Sequence, residues 1–259
     1  MESNMEPTIL YEDDEVVVIN KPAGLVVHGD GRSTSIRQAQ DKSLTTGKTE
    51  EKTLVDWILE KYPEVKDVGE PGRTANGETI LRSGIVHRLD RETSGVMIVA
   101  KTQQSFENLK KQFQNHEIKK IYHAVVFGEM KKMEGRVDRP IGRSSKDFRM
   151  WSAQRGARGE MREAVTDYKV ISNAKGYSFV EVSPKTGRTH QIRVHFKAIS
   201  HPLVADSLYA PSRENTLGFK RLALHSYEIT FKRLDGSFQT VTAPHPEDFK
   251  NAIIELQSS

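Results

Sequence analysis

The pattern of apolar and polar residues switches along the chain between runs typical of strands and spacings typical of helices. Three apolar runs rich in β-branched residues predict buried strands at 16–20, 95–101 and 121–127. Two further pairs of segments, each joined by a Gly-containing turn, predict antiparallel hairpins. One pair is 165–172 with 177–183, and the other is 227–232 with 237–242.

Four segments carry apolar residues at helical spacing and begin at a start signal. Thr53 is predicted to cap a helix that Pro63 ends, and residues 103–117 form an amphipathic helix with lysines on its polar face. Thr189 is predicted to cap a third helix, and Pro246 opens the last one. The predicted buried residues of these helices are Leu54, Trp57, Ile58, Phe106, Leu109, Phe113, Ile192, Phe196, Ile199, Phe249, Ile253 and Leu256.

The order of these elements predicts the fold class. Strands and helices mix without strict βαβ alternation, and the hairpins are antiparallel, so we expect an α+β fold with a mixed, largely antiparallel sheet and flanking helices. Polar stretches without periodicity predict loops at 29–52 and 71–78. Residues 1–8 are predicted to be a short disordered start, and residues 9–259 a single domain.

The composition excludes several classes of protein. The 259 residues contain no cysteine, which rules out disulfides, thiolate metal sites, iron–sulfur clusters and catalysis by a cysteine nucleophile. No apolar run reaches the length of a membrane span, and no charged-then-apolar leader precedes the first strand. These features favour a cytoplasmic protein.

The positive charge is concentrated in one stretch, residues 131–162, which we call the basic segment. It holds ten Lys and Arg against four acidic residues, whereas the whole chain has a net charge of only +4. Phe148 and Trp151 lie within it. Clustered cations with interspersed aromatic residues are typical of a nucleic-acid binder, and the alternative is a solvated charged loop.

The candidate chemistry centres on Asp90, which lies between Arg88 and Arg91 and precedes Thr-Ser-Gly. A carboxylate this close to fixed positive charge should remain ionised at neutral pH, so it is a candidate nucleophile or base. Arginines on both sides also suit an anionic substrate such as a phosphate backbone. Taken alone, these residues are better explained as a surface cluster that closes a turn.

The wider context changes that interpretation. The string HRLDRETSGVMIVAK, which contains Asp90, resembles the signature of the RluA family of RNA pseudouridine synthases. Three more segments fit this family in the right order, and the resemblance covers nearly the whole chain. They are VVVINKPAGLVVH at 16–28, KKIYHAVVFG at 119–128 and TGRTHQIRVHFKAISHPLVADSLY at 186–209.

The resemblance implies a mixed sheet with a central RNA-binding cleft. Many members of the family carry a small RNA-binding domain at the N-terminus, but the first predicted strand here begins at Val16, so we expect a single catalytic domain without that extra domain. It implies the conversion of uridine to pseudouridine in ribosomal or transfer RNA, with Asp90 as the catalytic residue. The reaction detaches the base from the sugar and rejoins it through a ring carbon, so no redox cofactor is needed. The carboxylate could attack the anomeric carbon or assist removal of a neighbouring sugar proton, and the sequence does not choose.

Further site residues follow from the same motifs. The resemblance implies that Arg88 fills the stack vacated by the extruded base, that Tyr122 lies against the uracil and that Ile192 packs against the base. It also implies that Arg193 pairs with Asp90. Arg188, beside Gly187 and ahead of a predicted helix, suits a phosphate. The alternatives are a phosphate contact or an ion pair for Arg88, and places in the core for the Tyr and Ile. The motif Asn-Lys-Pro-Ala-Gly at 20–24 is interpreted as part of the cleft wall.

The sequence is also compatible with two other classes of function. One is a metal-dependent RNA phosphodiesterase using His87, Asp90, His190 and His195, although the five-residue separation of the last two fits no helical zinc site. The other is a non-catalytic RNA-binding protein in which the Asp90 segment is a structural turn. The prediction is therefore an RNA-modifying isomerase with no cofactor, no metal, no membrane association and no obligate protein partner.

Overall fold

The computed structural model describes residues 6–28, 52–73, 79–80, 82–154 and 157–257. The strands are β1 (Thr8–Glu12), β2 (Val16–Lys21), β3 (Gly72–Arg73), β4 (Thr79–Ile80), β5 (Ser94–Ala100), β6 (Lys119–Phe127), β7 (Glu134–Asp138), β8 (Ile141–Arg143), β9 (Trp151–Ser152), β10 (Arg158–Arg162), β11 (Val165–Ala174), β12 (Tyr177–Pro184), β13 (Leu224–Lys232) and β14 (Phe238–Thr242). The helices are α1 (Leu54–Lys61), α2 (Gln103–Gln114), α3 (Gln191–Ala198) and α4 (Glu247–Gln257), with a 3₁₀ turn at Pro63–Asp67. Apart from Lys52, the predicted loop at 29–52 lies outside the described residues. Of the predicted loop at 71–78 only 71–73 is described, and there Gly72–Arg73 forms β3 rather than loop.

Nine strands form one central sheet in the order β1-β2-β5-β13-β6-β12-β11-β7, and β14 pairs with β13. Among the described strands of this sheet, only β5 and β13 pair in parallel. The predicted α+β class with a largely antiparallel sheet is confirmed, as are both hairpins. The three short strands β10, β8 and β9 form a separate small sheet.

Helices cover both faces of the sheet, so its central strands are buried on both sides. All seven residues of β5 are buried. Its alternate residues Met97 and Val99 pack in a cluster with α1, whereas Val96 and Ile98 pack with α2. This is the two-residue side-chain period of a strand between two layers. In the part of the chain that is described, no helix is long and apolar enough to cross a membrane.

Helix starts show where local prediction succeeds and where it fails. Thr53 caps α1 through a capping box with Asp56, as predicted. Thr189 does not cap α3, so that prediction is wrong. The residue at the cap is His190, in the left-handed conformation with φ 55°, and its side chain makes no capping hydrogen bond. The histidine ring is instead used by the site described below.

Besides β3 and β4, two stretches contain strands that the sequence did not predict. The first strand is β1, which begins at Thr8 inside the predicted disordered start, and Pro7 before it is buried. The basic segment, whose sequence shows little periodicity of apolar residues, contains β7 to β10. All five residues of β10 are exposed, so no alternation of apolar side chains marks it. Such strands are decided by pairing partners rather than by their own residues.

Two buried histidines make stability depend on pH. Burial lowers the pKa of His123 to about 4 and that of His225 to about 3, against an ordinary value of 6.5. Below pH 6.5 the unfolded chain takes up protons that the folded chain refuses, so the free energy of unfolding should fall as pH falls. The expected slope is about 1.4 kcal/mol per pH unit for each histidine.

Urea unfolding between pH 7 and pH 5 measures this slope. The free energy of unfolding should continue to fall until the pH reaches the folded-state pKa values, about 4 for His123 and about 3 for His225. The control variant His116→Asn should show the same slope as the wild type, because it removes an exposed histidine. Asn tolerates the left-handed backbone at this position, where φ is 59°. A flat profile from pH 7 to pH 5 would contradict the prediction.

Candidate active site

The segment that carries Asp90 has no regular secondary structure and is held by contacts on both sides. His87 accepts a hydrogen bond at its Nε2 from the backbone N–H of Ile98 at 3.0 Å, and its ring stacks on Phe113 at 4.7 Å. Leu89 is buried in the cluster that contains α1. Because tertiary contacts fix His87 and Leu89, they also hold the neighbouring Asp90 carboxylate in place.

Lys21 fixes the same segment from the other side. It is completely buried, and its Nζ donates to the carbonyl oxygens of Pro22 and Leu25 at 2.9 Å and of Arg91 at 3.1 Å. The backbone N–H of Gly24 donates to the same Arg91 oxygen at 2.8 Å. Burial lowers the pKa of Lys21 to about 7. The motif predicted to form a cleft wall thus also holds the backbone next to Asp90.

A glycine within the signature, Gly95, is required by a close approach of two strands. Gly95 has φ 111°, and a Cβ atom there would lie 2.1 Å from the carbonyl oxygen of Ser226. Gly95 lies opposite Ser226 where β5 and β13 pair in parallel. Only glycine permits both the backbone conformation and the contact, so this residue brings the Asp90 segment against the centre of the sheet.

Asp90 faces a cleft of about 480 Å³ that is open to solvent. Its side chain is 25% exposed, and its Oδ2 lies 3.4 Å from Nη1 of Arg193 and 3.9 Å from Nε2 of His190. The described residues that line the cleft are Arg88, Leu89, Asp90, Thr93, Lys120, Tyr122, Pro184, Thr186, Gly187, His190, Gln191, Ile192, Arg193 and Leu224. A carboxylate with a cationic neighbour and an open face can attack a bound substrate.

Arg193 has a second and closer carboxylate partner. Its Nε and Nη2 donate to the two oxygens of Asp206 at 2.8 and 2.7 Å, in a two-pronged ion pair buried in the protein. Asp206 also accepts the backbone N–H groups of Leu208 and Tyr209, both at 3.0 Å. The predicted contact of Arg193 with Asp90 is present, but Asp206 is the residue that orients the guanidinium. Nothing in the sequence motifs identified Asp206.

His190 occupies its left-handed position with both ring nitrogens directed at partners. The Tyr209 hydroxyl accepts a hydrogen bond from the backbone N–H of Trp151 at 2.9 Å, so its own proton is available to His190 Nδ1 at 3.0 Å. When that hydroxyl donates to Nδ1, the histidine proton lies on Nε2, the nitrogen that faces Asp90. Burial lowers the pKa of His190, so the ring is neutral at pH 7 and in this tautomer turns an N–H towards the carboxylate.

Two residues of β6 share the cleft with Asp90. Burial raises the pKa of Tyr122 to about 12, and the Asp90 charge adds to this effect, so the phenol is neutral and available as a donor. Burial lowers the pKa of Lys120 to about 8, and Lys185 contributes. The two side chains are two residues apart on one strand and lie on the same face. Lys120 was not predicted from the sequence.

The structure brings five of the six predicted site residues together at one cleft. They are Arg88, Asp90, Tyr122, Ile192 and Arg193. Arg188 is not among the described lining residues, and its Nε donates to the carbonyl oxygen of Glu163 at 2.9 Å. Its backbone N–H donates to Oε1 of Gln191 at 2.9 Å, so this residue serves the start of α3. A role for Arg188 with phosphate stays a prediction.

The four residues of the metal-dependent alternative do not converge. His195 is buried and its ring nitrogens lie 2.9 Å from Thr166 Oγ1 and 3.0 Å from the carbonyl oxygen of Arg139. The Nε2 of His87 is already bonded to the backbone of β5. Within the described ranges, no group of three His, Cys, Asp or Glu residues is placed to hold a metal ion. This geometry does not favour a metal-dependent phosphodiesterase.

Comparisons with known proteins identify relatives over most of the chain. A family model described as RNA pseudouridylate synthase matches residues 15–198. An uncharacterised RNA pseudouridine synthase of Bacillus subtilis is 35% identical over 98% of this chain and 74% of its own length. Ribosomal large subunit pseudouridine synthase D of Neisseria meningitidis serogroup B is 36% identical over 96% of this chain, which spans 61% of that relative.

Solved structures agree on the fold. Human RNA Pseudouridylate Synthase Domain Containing 4 has a TM-score of 0.70 with 24% identity, and the match covers 96% of this chain and 92% of that one. Human RNA Pseudouridylate Synthase Domain Containing 1 has a TM-score of 0.67 with 22% identity, covering 95% and 86%. At this level of identity the likeness supports the fold alone.

Proposed function

The chain belongs to the RNA pseudouridylate synthase family, and on that basis we propose that Asp90 is the nucleophile of its reaction. The enzyme isomerises uridine to pseudouridine in RNA. The observation that supports the proposal is the position of the Asp90 carboxylate, at the cleft and 3.4 Å from the Arg193 guanidinium. The RNA-binding scaffold without catalysis, considered from the sequence, is not favoured by this membership.

The proposed route balances without a cofactor. An Asp90 oxygen attacks the anomeric carbon of the sugar, and the bond from that carbon to N1 of the uracil breaks with its electron pair going to the base. The base turns, its C5 attacks the same carbon, and the Asp90 ester bond breaks. C5 then loses its proton, and N1 gains one. The alternative route, in which Asp90 assists removal of a sugar proton, uses the same carboxylate position.

The residues around Asp90 have separate proposed tasks. Tyr122 and Ile192 provide apolar surface on which the uracil rests, and the neutral hydroxyl of Tyr122 can donate to the detached base. The Lys120 ammonium places positive charge where the base carries its extra electrons. Arg88, which is exposed at the cleft, fills the gap in the RNA stack left by the extruded uridine.

The proposed substrate is ribosomal RNA. Support comes from relatives named for the large ribosomal subunit, which are 36% identical in Neisseria meningitidis and 33% identical in Zymomonas mobilis. The proposed location is the cytoplasm, where this RNA is found. The test uses large-subunit ribosomal RNA and transfer RNA, each labelled with tritium at uracil C5. Tritium release from the ribosomal RNA alone is expected. Release from transfer RNA alone would show that transfer RNA, and not ribosomal RNA, is the substrate.

The basic segment is proposed to bind the RNA backbone, with a smaller set of free cations than its composition suggests. Arg136, Arg149 and Arg162 pair with neighbouring carboxylates, those of Asp167, Asp147 and Glu160. These pairs are exposed and therefore weak. Exposed lysines such as Lys146 carry the remaining charge. RNA affinity should therefore decrease with salt, since bound cations release counterions.

Phe148 is expected to stack on a base of the bound RNA. Its side chain is 83% exposed in the loop between β8 and β9, and Arg143 Nη1 donates to its carbonyl oxygen at 3.2 Å. Phe148→Ala should weaken RNA binding by about 1–3 kcal/mol, the usual contribution of one stacked base. Fluorescence anisotropy with labelled RNA measures the change in Kd.

Phe238→Ala is the matched control for this experiment. Phe238 is also a strongly exposed phenylalanine, at 73%, but it lies on β14 outside the basic segment. Its replacement should leave the Kd unchanged. Equal losses in the two variants would show that Phe148 contributes only general surface hydrophobicity.

A further inference from the structure

A second cleft has Tyr209 in its lining, and the Tyr209 hydroxyl contacts His190, which faces Asp90. It has a volume of about 730 Å³, is open to solvent, and lies between the β8–β9 loop and α3. It has no place in the reaction described above. Its described lining residues are Ser144, Ser145, Lys146, Met150, Trp151, Ser152, Ala153, Gln154, Val194, Lys197, Ala198 and Tyr209.

The charge of this cleft selects for an anionic ligand. Lys146 and Lys197 line it, and none of its described lining residues is Asp or Glu. Ser144 and Ser152 each accept a backbone N–H, from Lys146 at 3.1 Å and from Gln154 at 3.2 Å. A serine that accepts through its oxygen still has its own O–H group to donate. The cleft thus offers two ammonium groups and hydroxyl donors, which suit a phosphate.

Other parts of the cleft lining are apolar and aromatic. Trp151 and Met150 are half-buried, and they pack with Val194 and Tyr209 in a small cluster. The Arg143 guanidinium lies over the Trp151 ring at 4.3 Å, and Lys197 Nζ lies over the Tyr209 ring at 5.5 Å. A flat aromatic wall beside cations and hydroxyls is what a nucleotide needs, since its base stacks and its phosphate is charged.

The second cleft is joined to the reaction cleft by shared residues. The Tyr209 hydroxyl accepts from the backbone N–H of Trp151, in the second cleft, and bonds His190, which faces Asp90. Helix α3 presents Arg193 to one cleft and Val194 to the other. One buried tyrosine and one turn of helix therefore separate the two clefts, so a continuous RNA strand can occupy both.

We propose that the second cleft binds another nucleotide of the RNA substrate, extruded from its stack close to the target uridine. This rests on the proposed function, because it needs RNA to be the substrate. The base lies against Trp151, and the phosphate lies at Lys146 and Lys197. Binding there orients the RNA so that one particular uridine reaches Asp90. The cleft therefore acts as a second reader of the RNA, in addition to the reaction cleft.

The first test combines a filled cleft with bases removed from the RNA. Ala153→Phe places a ring in the second cleft. The RNA is one in which the wild-type enzyme has a mapped target uridine, prepared as a series with a single abasic nucleotide at each position around the target. In the wild type, one position other than the target should lower kcat/KM about tenfold, the loss expected for one stacked base. In Ala153→Phe that same abasic position should cause no further loss.

The proposal would be overturned if the abasic nucleotide lowered kcat/KM by the same factor in Ala153→Phe as in the wild type. It would also be overturned if no abasic position other than the target lowered kcat/KM of the wild type. A wild type that released no tritium from any RNA would instead overturn the proposed function, and the inference with it. The wild-type assay on unmodified RNA is therefore run first, which separates the two failures.

A second variant keeps the proposal testable if Ala153→Phe does not fold. Lys146→Gln with Lys197→Gln removes the two ammonium groups of the second cleft. KM for RNA should rise about tenfold. Replacing one phosphate near the target by an uncharged methylphosphonate should then cause no further rise in KM, whereas it should raise the KM of the wild type. The control is Lys66→Gln with Lys111→Gln, two exposed lysines that line neither cleft. Equal rises in KM for the two double variants would show that only net charge matters and would overturn the proposal.

Discussion

Asp90→Asn is expected to abolish pseudouridine formation, with a loss in kcat of at least about 10³-fold, the order found when a nucleophile is removed. Asparagine keeps the shape of the side chain but carries no charge to form a bond with the sugar. The variant should fold and should still bind RNA, because Asp90 is at the cleft surface and the segment is held by Lys21, His87 and Leu89. Tritium release from RNA labelled at uracil C5 measures the loss.

Glu92→Gln is the matched control for Asp90→Asn. Glu92 is an exposed carboxylate two residues further along the same segment, so its replacement makes an identical change in local net charge. We expect near-normal tritium release from this variant. Near-normal release from Asp90→Asn itself would remove Asp90 from the reaction, and comparable losses in both variants would reduce its role to local charge.

Arg193→Ala is expected to lower both stability and activity. It removes the partner of Asp206, whose side chain is fully buried. Leaving one member of a buried ion pair unpaired typically costs about 3–5 kcal/mol. It also removes the cation 3.4 Å from Asp90. Chemical denaturation measures the first effect, and single-turnover rates at saturating RNA, at a temperature where the variant is folded, measure the second.

The double variant Arg193→Met with Asp206→Asn separates these two effects. It removes both charges together, and the Asn oxygen still accepts the backbone N–H groups of Leu208 and Tyr209. Most of the lost stability should return, since no buried charge remains unpaired. The single-turnover rate should stay low, because Asp90 still lacks its neighbouring cation. Recovery of the rate together with stability would show that Arg193 has only a structural role.

Local signals in the sequence identified much of the scaffold. The apolar run of β5, the helix α1 with its Thr53 cap, and the β13–β14 hairpin each depend on residues close together in the chain. Their spacing and turn residues are sufficient because each element buries one face or bends at one place. The same proximity made Asp90 and its two arginines visible as one group.

Local signals failed where the partner is distant in the chain. Strand β1 is an edge strand whose register is set by β2, and β10 has five exposed residues, so neither has a distinctive pattern of its own. His190 replaces Thr189 at the start of α3 because its ring is needed by Tyr209 and faces Asp90. A side chain used elsewhere cannot be recognised from the capping preferences of its own segment.

The sequence by itself determined the class of fold, the family and the group of residues that contains the proposed nucleophile. Only the tertiary structure decided which groups surround Asp90 and what holds them. Lys21 reaches the carbonyl of Arg91 across 70 positions of chain, and Arg193 reaches Asp90 across 103. Burial, which lowers the pKa of Lys120 to about 8 and raises that of Tyr122 to about 12, also exists only once the sheet is assembled. Electrostatics and burial depend on distances in space, and a linear pattern of residues does not contain those distances.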